Sequence, residues 1–142
     1  MSDYKKPSIT VDIFIYDENQ NFILIKRKNN PFKDSWALPG GFVDYGESLE
    51  DAAIREAKEE TSINIHDLNQ FKVYSEPNRD PRGHTITLVF LAKGNMDDRK
   101  ADDDAKDINI FSWDDLENIN IAFDHMKILT DIKKFLSKNY LN

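Results

Sequence analysis

Glu56, Glu59 and Glu60 are the residues whose types and spacing most directly offer chemistry. At about 100° per residue they cluster in one arc of a helix, beside the apolar row Leu49, Ala53 and Ala57, which Glu60 overlaps. Glu56 and Glu60 are like charges four residues apart, and such pairs destabilise an isolated helix by a few tenths of a kcal/mol. Partial burial makes that repulsion worse, so a positive partner is expected there. A solvated acidic face, with Arg55 and Lys58 as partners, accounts for the same spacing. The segment just upstream favours a bound cation. Gly40-Gly41 and Gly46 bracket Phe42-Val43-Asp44-Tyr45, a backbone able to bring its N–H groups close to a phosphate. Carboxylates beside a glycine-rich loop suit magnesium, a hard cation that takes a few carboxylates and shares phosphate oxygens with its ligand.

The elements that must carry these residues can be read from pattern. Ser8 to Tyr16 is β-branched and aromatic and reads as a strand, and Phe22 to Lys26 reads as its return after a polar turn. Arg27 to Ser35 contains Asn29-Asn30-Pro31 and reads as a loop, before the short apolar piece Trp36-Ala37-Leu38. Ser48 to Glu60 is the clearest helix, with Ser48 and Asp51 placed as a capping box. Strands follow near Phe71–Tyr74, Thr85–Ala92 and Ile108–Trp113, with a charged loop over Asp97–Asp107. Phe123 to Leu136 reads as a terminal helix with Ile128, Leu129, Ile132, Phe135 and Leu136 on one face. Mixed strands with one central and one terminal helix predict a single α+β domain, layered α/β/α, over residues 1–142 with its core at about 8–138.

Length and composition agree with that size. The 142 residues are 39% hydrophobic and 32% charged, the balance of an ordinary globular chain. The start, Met1 to Pro7, has no apolar signal core behind it, and no apolar run is long enough to cross a bilayer, so a cytoplasmic protein without membrane contact is expected. Cysteine is absent, which excludes disulfides, thiolate metal sites and cysteine nucleophiles. The net charge of −7 disfavours nucleic acid as a partner. A small anion remains compatible if bound cations reverse the local sign.

Gly41-x5-Glu47-x7-Arg55-Glu56-Ala57-Lys58-Glu59-Glu60-Thr61-Ser62-Ile63 resembles the Nudix box, G-x5-E-x7-R-E-U-x-E-E-x-G-U. It departs at Ser62, where the family usually has glycine; a non-glycine residue in the left-handed conformation costs roughly 1 kcal/mol. Trp36-Ala37-Leu38-Pro39-Gly40-Gly41 is also similar to the family, and the likeness runs from about Ser8 to the C-terminus. The resemblance implies an α/β/α sandwich with a mixed sheet that hydrolyses nucleoside diphosphate derivatives. It implies that Glu56, Glu59 and Glu60 hold Mg2+ (or Mn2+), that Arg55 orients the carboxylates, and that Glu47 supports the loop–helix junction. The carboxylate that takes the water's proton stays open between Glu59, Glu60 and an acid from a later loop.

Substrate choice rests on a second segment. Asn78-Arg79-Asp80-Pro81-Arg82-Gly83-His84, with Ala122-Phe123-Asp124-His125, is similar to small prokaryotic ADP-ribose pyrophosphatases of this family. That likeness implies ADP-ribose as substrate, AMP and ribose 5-phosphate as products, and a homodimer. Arg79 and Arg82 offer fixed forks for phosphate or ribose oxygens, and they equally suit a solvated turn. Gly40, Gly41 and His84 complete the expected substrate contacts; a lone histidine at a strand start is more often structural, as is His125 on a packing helix. Phe32, Phe42 and Tyr45 could stack on a base, although packing is the commoner fate, and Trp36 and Trp113 are expected in the core. Asp102-Asp103-Asp104 invites a second metal but reads first as a solvated loop.

Two competing functions fit part of the pattern. One is a pyrophosphatase for damaged nucleoside triphosphates such as oxidised dGTP. The other is a non-catalytic ADP-ribose sensor; regulators of that kind carry a DNA-binding domain and tend to lose box glutamates. Here the glutamates are present and no stretch is expected to form a helix-turn-helix.

Overall fold

The protein was analysed as a computed structural model, which describes residues 4–100 and 105–140. Seven strands and two α-helices follow in the order β1 (Ser8–Ile15), β2 (Phe22–Arg27), β3 (Trp36–Ala37), β4 (Gly40–Phe42), α1 (Leu49–Thr61), β5 (His66–Tyr74), β6 (Thr85–Lys93), β7 (Ala105–Phe111) and α2 (His125–Tyr140). One sheet has the order β4-β1-β6-β5 and is mixed, because β1 runs parallel to β6 and antiparallel to β4. A second, antiparallel sheet has the order β3-β2-β7. An isolated bridge between Tyr16 and Phe22 links the two.

Alternation along β1 and β6 builds the layers. Val11, Ile13 and Ile15, with Leu88, Phe90 and Ala92, pack on one side against Ala52, Ala53 and Ala57 of α1. Phe14, Val89 and Leu91 point the other way, into a second core with Ile128, Leu129, Ile132 and Leu136 of α2. The expected α/β/α sandwich is therefore present. The alanines on α1 matter here: small side chains bring the helix axis close to the sheet, and so bring its glutamates close to β4.

Several boundaries differ from expectation, each for a local reason. β5 begins at His66 and not near Phe71, and β7 begins at Ala105 and not at Ile108. Both lie at sheet edges, where polar residues can pair without being buried. β7 also stops at Phe111, because Ser112 caps a 3-10 turn over Trp113–Asn118. α2 starts at His125; Phe123 has φ 53, which a helix does not admit. Phe135 is not part of the buried face of α2: it is 44% exposed and meets Phe71 edge-on, with ring centroids 5.3 Å apart. Trp36 and Trp113 are partly buried and pack against the second core, Trp113 stacking on Phe14 at 5.5 Å.

Ser48 caps α1, accepting the Asp51 N–H at 3.0 Å. At the other end Ser62 adopts φ 64, the left-handed conformation that its place in the box predicts. The turn is tied by Ser62 N–H to the Lys58 carbonyl, by Lys100 N–H to the Thr61 carbonyl, and by Ser62 Oγ to the Lys100 carbonyl.

Candidate active site

A cavity of about 410 Å³ opens between the α1 glutamates, the β4 strand and the start of α2. Its lining includes an acidic group, Glu56, Glu59, Glu60 and Asp44, which forms the acidic wall, and a basic group, Arg27, Arg79 and Arg82 with Phe123, which forms the basic wall. The floor includes Asp12, Leu38 and His125.

Arg55 organises the acidic wall. Its Nε and Nη2 grip both oxygens of Glu47, at 2.7 and 2.9 Å. Nη1 donates to Glu56 at 2.7 Å and to Glu59 at 3.2 Å, and Nη2 also reaches the Phe42 carbonyl at 3.0 Å. One guanidinium thus holds three carboxylates and fixes the loop to the helix. The bidentate hydrogen bonds from Arg55, helped by the Asp44 N–H, lower the Glu47 carboxyl to about 2. The same bonds raise Arg55 above its already high value. Glu56 moves the other way: burial pushes it up, and the Arg55 bond only partly offsets this. Burial is the main cause, and the like charges of Glu59 and Asp44 add to it.

The two glycines act through close approach. A Cβ on Gly41 would stand 2.6 Å from the Glu56 carboxylate, and a Cβ on Gly40 would collide with the Val11 carbonyl and lie 2.5 Å from Asp12 Oδ1. The segment is a paired edge strand, with Gly40 opposite Asp12 and Gly41 opposite Val11, and not a flexible phosphate loop. The Gly40 N–H is already donated to Glu60 Oε1 at 2.8 Å. Gly46, at φ 83, is the position in this loop that needs glycine for its backbone angle.

Arg79 and Arg82 both reach the cavity, in different ways. The Arg79 side chain is buried; its fork holds Asp124 at 2.9 and 2.7 Å, and its third nitrogen donates to Thr85 Oγ1 at 2.8 Å. It braces the β5–β6 loop against the start of α2. Arg82 is held by the buried Asp80 at 3.1 and 2.8 Å and leans over Phe42 and Phe123. His84 does not line this cavity. Its Nε2 meets the Ser75 carbonyl at 2.9 Å, and its ring borders a separate cleft with Lys5, Lys6 and Arg82. Phe42 lines both hollows, whereas Phe32 packs on Phe123 and Tyr45 is fully exposed.

Arg27, Phe123, Asp12 and His125 were not among the residues expected to bind substrate. Arg27 donates to the Pro31 carbonyl at 2.7 Å and lies 4.9 Å from the Phe123 ring centre. Burial, then the charge of Arg82, pulls its pKa down. His125 is buried, as its structural reading predicts, yet it also forms part of the cavity floor. One signal was available: Asp12 interrupts the apolar run Val11–Ile15, where a charge needs a reason. Asp102, Asp103 and Asp104 lie outside the described residues.

Among the described residues no three acidic or imidazole groups already converge on one metal-sized point. Arg55 occupies Glu56 and Glu59, and the Gly40 N–H occupies one oxygen of Glu60. The donor set itself fits a hard divalent cation: three glutamates border one cavity, and burial leaves Glu56 in want of positive charge.

The NUDIX domain profile matches residues 6–132 of this chain. The chain belongs to the Nudix family. It is 47% identical over 133 residues to a protein of Methanocaldococcus jannaschii named ADP-ribose pyrophosphatase, covering 93% of this chain and 76% of that one. It is 35% identical over 136 residues to the ADPR responsive transcriptional repressor NtrR of Acinetobacter baylyi, covering 90% of this chain and only 54% of the repressor. Among solved structures, the Nudix domain of Shewanella oneidensis NrtR, complexed with ADP ribose, matches with a TM-score of 0.86 at 27% identity. That match covers 95% of this chain and 92% of the other. Nudix ADP-ribose pyrophosphatases depend in general on divalent metal. Among the described residues no helix is long and apolar enough to cross a membrane.

Proposed function

We propose that this Nudix chain hydrolyses the diphosphate linkage of ADP-ribose, giving AMP and ribose 5-phosphate. The observation that carries the reading is the wall of three glutamates, organised by Arg55 and faced across one cavity by arginines. Glu56, Glu59 and Glu60 would hold Mg2+, with Mn2+ as the nearest substitute. The metal, when bound, supplies charge neutralisation on the diphosphate oxygens and lowers the pKa of the attacking water.

The protein's own residues do the rest. Glu47 anchors Arg55, and Arg55 keeps Glu56 and Glu59 turned toward the cavity. Gly41 leaves room for Glu56, Gly40 lets β4 pass close to Val11 and Asp12, and both line the cavity where the substrate would lie. Arg82 and Arg27 attract the anionic ligand in a chain of net charge −7, and Arg79 keeps the loop that carries Arg82 in place. A proton released by the water goes to Glu59, Glu60 or an acid from a later loop. His84 lines an adjoining cleft that shares Phe42, Asp80, Arg82 and Thr85 with the glutamate cavity, so any contact it makes is with a part of the ligand that extends there. Residues 1–142 act as one domain in this reading, in the cytoplasm, as a homodimer, and without nucleic acid or membrane as partner.

The test is a turnover panel with ADP-ribose, NADH, diadenosine polyphosphates and oxidised dGTP, run with Mg2+ and with Mn2+. Preference for ADP-ribose, with AMP and ribose 5-phosphate recovered, is the expected result. Faster turnover of oxidised dGTP overturns the substrate assignment. The likeness to a repressor that responds to ADPR keeps a second reading in play. Metal-replete protein that binds ADP-ribose and leaves it intact would be a sensor.

A further inference from the structure

Asp12 sits in the middle of a central strand and is only 8% exposed. Its Oδ2 accepts the Thr87 hydroxyl at 2.7 Å, while Oδ1 takes no hydrogen bond among the described residues. His125 stands beside it, 4% exposed, with Nε2 at 3.7 Å from Oδ1. The His125 tautomer is fixed by its other nitrogen. Nδ1 accepts the Leu38 N–H at 3.0 Å, and a backbone amide can only donate, so in the neutral ring the proton is on Nε2. Burial pushes the His125 pKa down and so keeps the ring neutral.

The cavity floor therefore presents one donor, His125 Nε2–H, and one acceptor, Asp12 Oδ1, side by side and too far apart to satisfy each other. Two neighbouring hydroxyls of a ribose match such a pair, since each can both donate and accept. The edge of a nucleobase could match it as well, but position favours the sugar. Asp12 pairs in register with Gly40, and the Gly40 N–H is bonded to Glu60. The pair is thus one residue from the carboxylate wall, and in a nucleoside diphosphate the sugar is joined directly to phosphate while the base lies beyond it.

We propose that Asp12 and His125 bind the vicinal diol of a ribose attached to the diphosphate, Asp12 Oδ1 accepting from one hydroxyl and His125 Nε2–H donating to its neighbour. This rests on the hydrolase reading above. It gives a reason for a carboxylate in a cavity built for an anion: a neutral hydroxyl, and not a phosphate, is its partner. A nucleotide without that diol leaves both groups unpaired, which is how a polar site rejects a ligand lacking a hydroxyl.

The experiment is calorimetric titration with methylene-bridged ADP-ribose, which cannot be hydrolysed, in the presence of Mg2+. Two further ligands lack the diol of the adenosine ribose or of the distal ribose. Wild-type protein is expected to lose about 10- to 100-fold in affinity for one of the two, the worth of hydrogen bonds to a charged group. Asp12→Asn and His125→Phe are expected to bind the parent ligand more weakly and to stop distinguishing it from that analogue. Equal wild-type affinity for all three ligands overturns the proposal, and this arm needs no variant to fold. So does an equal weakening of all three in the variants, which marks a structural role, or a changed preference between adenine and guanine versions, which marks a base contact. Failure of the wild type to bind the parent ligand at all is a failure of the hydrolase reading, and it is visible before any diol is compared.

Discussion

The two walls of the cavity are charged oppositely and are built to different plans. On the acidic wall a single guanidinium, Arg55, is shared among Glu47, Glu56 and Glu59. On the basic wall Arg79 has Asp124 and Arg82 has Asp80, each a private bidentate pair, while Arg27 is held by a carbonyl. A shared partner leaves carboxylates under-neutralised and available to a cation. A private partner makes a rigid brace. On the proposed reading the acidic wall serves binding at some cost in stability, whereas Arg79, with its side chain buried against Asp124, serves the fold first.

The largest effect that would test this contrast is on turnover. Glu59→Gln and Glu60→Gln keep side-chain shape and remove charge, so kcat should fall about 100- to 1000-fold, comparable to losing one preorganised electrostatic contact in an active site. Thermal unfolding of both variants should stay close to wild type; wild-type turnover in both would refute their metal role.

The basic wall should respond in the opposite sense. Arg79→Ala leaves Asp124 without its partner and should cost about 2–3 kcal/mol, measured by urea unfolding. A stable Arg79→Ala protein with a raised KM alone would show that Arg79 is a substrate contact after all, and the contrast would break. A smaller effect is expected at the end of the helix that carries the acidic wall. Ser62→Gly relieves a left-handed backbone and should stabilise by up to about 1 kcal/mol, with kcat unchanged.

The subtlest expectation concerns acid. The Glu47 carboxyl is depressed to about 2, so its link to Arg55 contributes in full above the ordinary glutamate range and is lost as pH falls toward 2. Wild type should therefore exceed Glu47→Gln in stability at neutral pH, and the two should converge between about pH 4 and pH 2. A constant gap across that range would mean that Glu47 acts through packing and not through charge.

Sequence reading found what is local and periodic. The α1 period put Glu56, Glu59 and Glu60 on one face, Ser48 caps the helix where its spacing to Asp51 implies, though only the Ser48 half of the capping box forms among the described residues, and the Ser62 turn stands where the Nudix box implies. Edge strands were harder, because β5 and β7 pair through backbone and carry polar residues that do not alternate clearly. Contacts across long separations were invisible: Arg79 meets Asp124 45 residues away, and His125 meets Leu38 87 residues away. Without those partners Arg79 looked like a free fork, and His125 like simple packing. Arg27 was hidden in the same way, since the ring it stands against, Phe123, belongs to a distant part of the chain.

The pairing of β4 with β1 has a consequence for how the site comes into being. Asp12 faces Gly40 and Val11 faces Gly41; a Cβ on Gly40 would strike the Val11 carbonyl, and one on Gly41 would crowd the Glu56 carboxylate. A slip that brought Phe42 to the place of Gly41 would push its side chain into the Glu56 carboxylate, so the register of this pair and the placing of that glutamate are tied. The alignment that adds β4 to the sheet is thus also the one that gives Glu56 its space and Glu60 its backbone partner.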